Sequence, residues 1–272
     1  MTQQTLRTER DAAGAYEILA AATSEPEVLV VLTDEELIAL AGTEATELAG
    51  TPFLDTAGLE RDPAAAVALR SLVARGLVVL EEDGRENEGE DLGDGSPARR
   101  TAQLDRTLAG LLTLRSSPLA LANLTRRVAD QTTSLMVYLF PQSGVLEEFI
   151  TADGFHHFSV PARQAVPGRL ARYADAAEVA GAADGGSIEG TVAGIESSTD
   201  PLAARLQDTR ALTVLTTAHE DVTTQVSIMA TSDGVLVMDT PQDEAEQTLV
   251  REIGAGTLLE LLDGALPRPD AL

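Results

Sequence analysis

Thr151-Ala152-Asp153-Gly154 returns 80 residues later as Thr231-Ser232-Asp233-Gly234, and Pro161 returns as Pro241. The likeness extends outward from both turns. An apolar run precedes each, 134–140 in the first case and 211–215 in the second. A short β-prone run follows each, 155–160 and 235–238, and then come Pro and a helical stretch. Asp-Gly between β-prone runs is a hairpin signal, because Gly accepts the positive φ that tight turns require. Two copies of one β-β-β-α unit predict an α+β fold. Its centre is an antiparallel sheet of two pseudo-symmetric units with packed helices, and its N-terminal third is helical.

The first unit reads as strands at 134–140, 145–151 and 155–160. Turns fall at Gln142-Ser143-Gly144 and Asp153-Gly154, and a helix follows at 162–175. The second reads as strands at 211–217, 222–230 and 234–239. A last helix runs from about 242 to 263, with a break at Gly254-Ala255-Gly256. Residues 119–128 read as a helix, or as a helix leading into a strand. Along the whole chain, the expected order is a mostly helical part over 1–80, an acidic linker or loop over 81–98, and the first unit over 99–180. A flexible Gly- and Ala-rich connection over 181–210 and the second unit over 211–272 complete it, all within one integrated domain.

Composition narrows the function. The chain has 272 residues, 44% hydrophobic, enough for a proper core, yet only 3% aromatic and without Trp. The absence of Cys excludes disulfides, thiolate zinc sites and a Cys nucleophile. Formal charge is -25, and every basic residue is Arg. Binding to nucleic acid depends on basic groups that release counterions, so a field of this sign repels it, as it repels an anionic membrane surface. The first residues lack the basic-then-apolar order of a secretory signal. No apolar run approaches the ~20 residues that cross a bilayer. The expectation is a cytoplasmic protein without nucleic-acid or membrane partners.

The search for chemistry returns little. His156-His157, with Glu148 and Asp153 nearby, can be drawn as a metal site. Neighbours on a strand point to opposite faces, however, so the pair cannot share one ion without a bulge. One His then belongs at the surface and the other beside the apolar face. His219, before Glu220-Asp221, reads as part of a solvated turn. Ser143-Gly144 lacks the pattern of a nucleophile elbow. The glycines from 181 to 194 contain no phosphate-loop Gly-Lys-Ser or Gly-Lys-Thr. Glu147-Glu148 carries little information in a chain with 44 acids. No catalytic residue, no metal ligand and no cofactor is expected, and the chain reads as a non-enzyme.

The N-terminal third allows two readings. Thr33-Asp34-Glu35-Glu36 is a capping box, with Leu37 and Leu40 on the apolar stripe and Gly42 as the stop. Asp62-Pro63 starts another helix, Arg75-Gly76 ends it, and 77–80 reads as a strand. Helix, bend, helix and strand together resemble a winged helix, in which Arg61, Arg70 and Arg75 would face DNA. The few bases and the strongly acidic stretch that would form the wing oppose this. Residues 81–96 carry eight acids against one Arg and read as a solvated spacer in preference to a partner-binding tail.

The overall order resembles the EspG family, the cytosolic chaperones of mycobacterial-type type VII secretion. The similar parts are Leu32-Thr33-Asp34-Glu35-Glu36-Leu37, a helix ending in Ala74-Arg75-Gly76-Leu77, and the leucine-rich stretch 104–114. To these are added a hairpin with its following helix (161–173), and Val237-Met238-Asp239-Thr240-Pro241 before a final leucine-rich helix. Where the family pattern has Gly-Arg after Asp-Thr-Pro, this chain has Gln242-Asp243. The resemblance implies a quasi-twofold α+β fold and a chaperone holding a secretion substrate of the paired-helix PE–PPE type. Interface candidates lie in the first hairpin. Phe149 and Phe155 alternate with Ile150 and Phe158, so one pair faces the core and the other is semi-exposed. Phe149, Phe155 and His157 are the expected partner-binding residues. A transcriptional regulator, with an N-terminal winged helix and a C-terminal sensor domain, is the alternative.

Overall fold

The computed structural model describes residues 8–43, 49–82, 100–220, 222–240 and 247–268. The acidic stretch from 83 to 99, and the Pro241-Gln242-Asp243 end of the family-like motif, lie outside these. The helices are α1 (Glu9–Ala20), α2 (Asp34–Ala41), α3 (Pro52–Ala57), α4 (Arg61–Ala74), α5 (Arg106–Arg115), α6 (Val166–Ala174), α7 (Val192–Glu196), α8 (Pro201–Gln207) and α9 (Ala255–Gly264). The strands are β1 (Val30–Thr33), β2 (Val78–Glu82), β3 (Arg100–Leu104), β4 (Ala120–Val128), β5 (Gln131–Leu139), β6 (Val145–Ile150), β7 (Phe155–Ser159), β8 (Ser187–Gly190), β9 (Ala211–His219), β10 (Val222–Ala230), β11 (Val235–Asp239) and β12 (Thr248–Ile253).

The fold is α+β with a large antiparallel sheet and several packed helices. Ten strands form the sheet in the order β1-β7-β6-β5-β4-β9-β10-β11-β12-β8, every neighbouring pair antiparallel. The pair β2–β3 stands apart as a two-stranded hairpin. Local signals start the helices. Thr33 caps α2 in the reciprocal box with Glu36 that the sequence predicts; Asp105 caps α5, and Asp200 followed by Pro201 opens α8.

One face of the sheet is a continuous core. Leu124, Val137, Leu215 and Val237 pack there against Leu170 of α6 and Leu262 of α9. The opposite face divides. Over the first half, Ile18, Leu37, Leu72 and Leu111 from four helices cover Met136, Tyr138, Leu146 and Phe158. Over the second half, among the described residues, α7 and α8 supply the cover, through Ile195 and Leu202 on Met229, Leu236 and Val250. Helices therefore lie on both faces. The α1–α5 crossing depends on close approach: a Cβ on Gly110 would stand 2.4 Å from the Gly14 carbonyl carbon.

Several sequence expectations need correction. Residues 120–128 are a strand, alternating buried and half-buried along Ala120–Thr125. Ala and Leu favour helix in isolation, but pairing on both sides with β5 and β9 overrides that preference. The expected last helix begins later, because 248–253 is β12, which pairs with both β11 and β8. Each half thus has four consecutive strands before its helix, not three. The spacing of the halves changes too. Ala120 corresponds to Ala211 and Gln131 to Val222, 91 residues on. Leu121, Leu124, Thr125, Asp130, Thr132 and Thr133 all recur at that spacing. Ala129 and Glu220, matched by it, share a φ of 52°. The two Thr-x-Asp-Gly turns are not equivalent: the first joins β6 to β7, the second β10 to β11. Residues 181–210, expected as a flexible connection, carry β8, α7 and α8. Among the described residues no helix is long and apolar enough to cross a membrane.

Candidate functional site

Two arrangements of polar and aromatic side chains meet in the first half of the sheet. The first is sealed. Asp34 opens α2, and its Oδ2 accepts from the Phe53 and Leu54 amides of α3 at 2.9 and 3.3 Å. Its Oδ1 lies 2.8 Å from His156 Nε2, and His156 Nδ1 lies 2.6 Å from Glu148 Oε1. Arg115 Nε donates to Glu148 Oε2 at 2.9 Å, and the Tyr138 hydroxyl donates to the same oxygen. All five residues are buried.

Charge balance explains how so many ionisable groups tolerate burial. A neutral imidazole has one N–H, yet both nitrogens of His156 face carboxylates, so the ring is held as imidazolium. Burial opposes this, but the hydrogen bonds to Asp34 and Glu148 prevail and raise the His156 pKa. Burial likewise opposes charge on Glu148; Arg115 and His156 outweigh it and hold the carboxyl at about 2. Two carboxylates then meet two cations. Burial, with Glu148 beside it, pushes the Tyr138 phenol well up, so it stays neutral. The network joins α2, α3, α5 and three strands, and neither His156 nitrogen is open to a substrate.

The second arrangement is open. A cleft of about 390 Å³ is floored by Leu135, Phe149 and Tyr173, with Val28 on one wall and Arg169 and Arg172 on the rim. Phe149 and His157 are directly opposed on β6 and β7, ring centroids 6.0 Å apart. Tyr173 meets Phe149 edge-on at 6.1 Å and shares a 2.7 Å hydrogen bond with Thr133 Oγ1. Burial pushes the Tyr173 phenol up to about 12. Glu147 takes both Arg169, through Nε at 2.8 Å and through Nη2, and the Ser159 hydroxyl at 3.2 Å.

Two of the three expected partner-binding residues, Phe149 and His157, come together in this cleft. Phe155 does not join them; it begins β7, 41% exposed, outside the cleft. Ile150 and Phe158 are the core pair of the alternation. The adjacent histidines do point apart, and no group of three or more metal-ligating side chains occurs among the described residues. Asp34, Arg115, Tyr138 and Glu148 were missed as a cluster. The available signal was Glu147-Glu148 and His156-His157 sitting inside runs that otherwise read as core.

Helices α2, α3 and α4 precede the β2–β3 pair, the element order of the winged-helix expectation, but two of the arginines it invoked are engaged elsewhere. Arg75 binds both oxygens of Glu36, at 2.8 and 2.7 Å, and the Val31 carbonyl. Arg61 binds Asp55 and Thr51, each at 3.1 Å. Arg70 is exposed on α4 beside Val67, which is 70% exposed. Compared with protein-family models and with curated proteins, the chain matches none.

Proposed function

We propose that this chain is a non-enzymatic protein-binding scaffold. It is built from two copies of one β-α-α-β-β-β-β-α unit about a pseudo-twofold axis between β4 and β9. The first copy carries α3, α4 and the β2–β3 hairpin as an insertion. The working reading is a cytoplasmic chaperone for a helical secretion substrate of the PE–PPE type, as the EspG resemblance implies. The observation that carries the scaffold reading is the cleft around Phe149. It offers an aromatic and aliphatic floor with arginines at its edge, the composition of an interface core within a polar rim. The sealed network supports it from the other side, since its ionisable groups answer one another and leave no free base or nucleophile there.

The test is capture from the native host with identification of what is bound. A helical secretion substrate, lost with Phe149→Ala while the fold is retained, is the expected result. A globular enzyme subunit, or retention of the substrate by that variant, overturns it. The winged-helix outline supports the regulator as a second reading. The uptake of Arg61 and Arg75 by acids weighs against DNA, and a gel shift with generic duplex at low salt separates the two. Tight binding there would reject the scaffold reading.

A further inference from the structure

The sealed network of the first unit has a counterpart in the second, and it is an open cleft. Matched through strand pairing, Asp34, Arg115, Tyr138, Glu148 and His156 fall on Val192, Leu206, Met229, Met238 and Thr248. Independent registers agree on this. Thr33 and Thr191 are both N-caps whose hydroxyls accept from the amide three residues on. Met136 faces Glu148 across the sheet as Ser227 faces Met238. Leu32 faces His156 as Gly190 faces Thr248. Arg115 precedes Ala120 at the interval by which Leu206 precedes Ala211.

Four of these counterparts, Val192, Leu206, Met229 and Met238, line a cleft of about 270 Å³ together with Ile195 and Leu212. In the first unit the same place is roofed. The chain between α2 and α5 supplies α3, whose Phe53 and Leu54 amides cap Asp34 and whose Leu54 is buried. In the second unit α7 passes to α8 through residues 197–200 alone, so among the described residues no helix replaces that roof.

We infer that this second cleft is a docking site for a short amphipathic helix of a partner protein, seated where α3 sits in the first unit. The inference rests on the protein-binding reading and adds a contact site to it. The cleft's hydroxyls are already occupied: Thr209 donates to the Leu206 carbonyl at 2.6 Å, and Ser227 shares a 3.3 Å bond with Thr240. What enters must therefore present apolar side chains, and a pair of large ones a helical turn apart suits a place that a helix, α3, covers in the first unit. Two methionines give the walls a shape that adjusts to the occupant. Glu196 lies exposed at the mouth of a chain carrying -25, which selects a basic residue beside the apolar pair.

The methionines provide the test. The chain has four, of which Met229 and Met238 line the cleft while Met136 is sealed in the first unit. Full-length protein carrying methyl-13C methionine is titrated with a synthetic helical peptide of about 15 residues, long enough to form helix. The peptide bears a leucine pair one turn apart, flanked by lysines. The expected result is saturable movement of the Met229 and Met238 methyl signals with Met136 unmoved. Leu212→Glu, at a position already 37% exposed, should weaken the effect about tenfold or more. A peptide with both leucines changed to Gln should do nothing. Signals that stay in place, or that move equally in Leu212→Glu, overturn the inference. So does movement with decanoate but not with peptide, which would assign the cleft to a free small molecule. A failure here leaves the Phe149 cleft untouched, because that site is read from partner capture with its own variant.

Discussion

Leu124 on β4 lies directly across from Leu215 on β9, and the two are also each other's counterparts at the 91-residue spacing. In the two-unit arrangement proposed above, a residue that faces its own equivalent sits on the axis, which would pass between these side chains. Both are buried in the shared core beneath α6 and α9. Leu124→Ala and Leu215→Ala should each cost about 2–5 kcal/mol, the usual range for truncating a buried leucine. Urea unfolding measures both. Similar losses, with a double mutant departing from additivity, are expected of neighbours that share one cavity. Losses below about 1 kcal/mol at either site would contradict the burial of this pair in the shared core.

The sealed network sets a pH window. Glu148 falls from 4.5 to about 2 on folding, so its contribution is present above 4.5 and is lost as pH drops toward 2. The shift corresponds to about 3 kcal/mol of linkage. His156 moves the opposite way, upward from 6.5; its contribution is present below 6.5 and is lost as pH rises through the folded value. As far as this network governs it, stability should be greatest between about 4.5 and 6.5 and decline on both sides. Denaturation midpoints across pH 3–9 check this. His156→Gln should flatten the alkaline limb and also shrink the acid limb, because His156 helps Arg115 hold the Glu148 carboxyl down.

The α+β class with a large antiparallel sheet was legible in the sequence, but the spacing of 80 residues is not the one the strands follow. Thr-x-Asp-Gly is a turn signal that any hairpin can use, and its recurrence 80 residues on linked turns at different places in the two units. The strands that follow the 91-residue spacing, 120–139 and 211–230, begin with a stretch, 120–128, whose Ala and Leu content suggested helix. Pairing on both sides decides a central strand, and no local preference reports that. The Phe149–His157 cleft could be anticipated because alternation along a strand is local. The network could not, because Asp34 lies 122 positions from His156 and each acid alone resembles the many others in the chain.

Gly154 is held at φ 76°, and a Cβ there would stand 2.6 Å from Phe53 Cβ and 2.7 Å from Asp34 Oδ2. The turn after β6 therefore presses on the carboxylate that holds α3 and His156. Gly154→Ala adds backbone strain to a clash with a buried charged group, and should cost more than about 1 kcal/mol. Gly168→Ala, where nothing lies within 4 Å and the position is on a helix, should be neutral or slightly stabilising. Thermal unfolding of the two variants side by side tests the contrast; equal effects would mean the turn does not bear on Asp34.

Arg75 and Arg70 lie on or at the end of the same helix and should behave oppositely. The Glu36 carboxylate is almost fully buried and takes two hydrogen bonds from Arg75 and one from the Ser71 hydroxyl. Removing Arg75 leaves that charge short of partners, and Arg75→Ala should cost about 2 kcal/mol, tempered because the guanidinium itself is partly exposed. Arg70→Ala changes an exposed site and should fall within about 0.5 kcal/mol of the parent. If α4 instead served to read DNA, the ranking would invert in a low-salt gel shift: Arg70→Ala would abolish a complex that the folded parent forms. Stability loss confined to Arg75, with no complex in either case, is the outcome expected of a helix whose arginine holds the scaffold together.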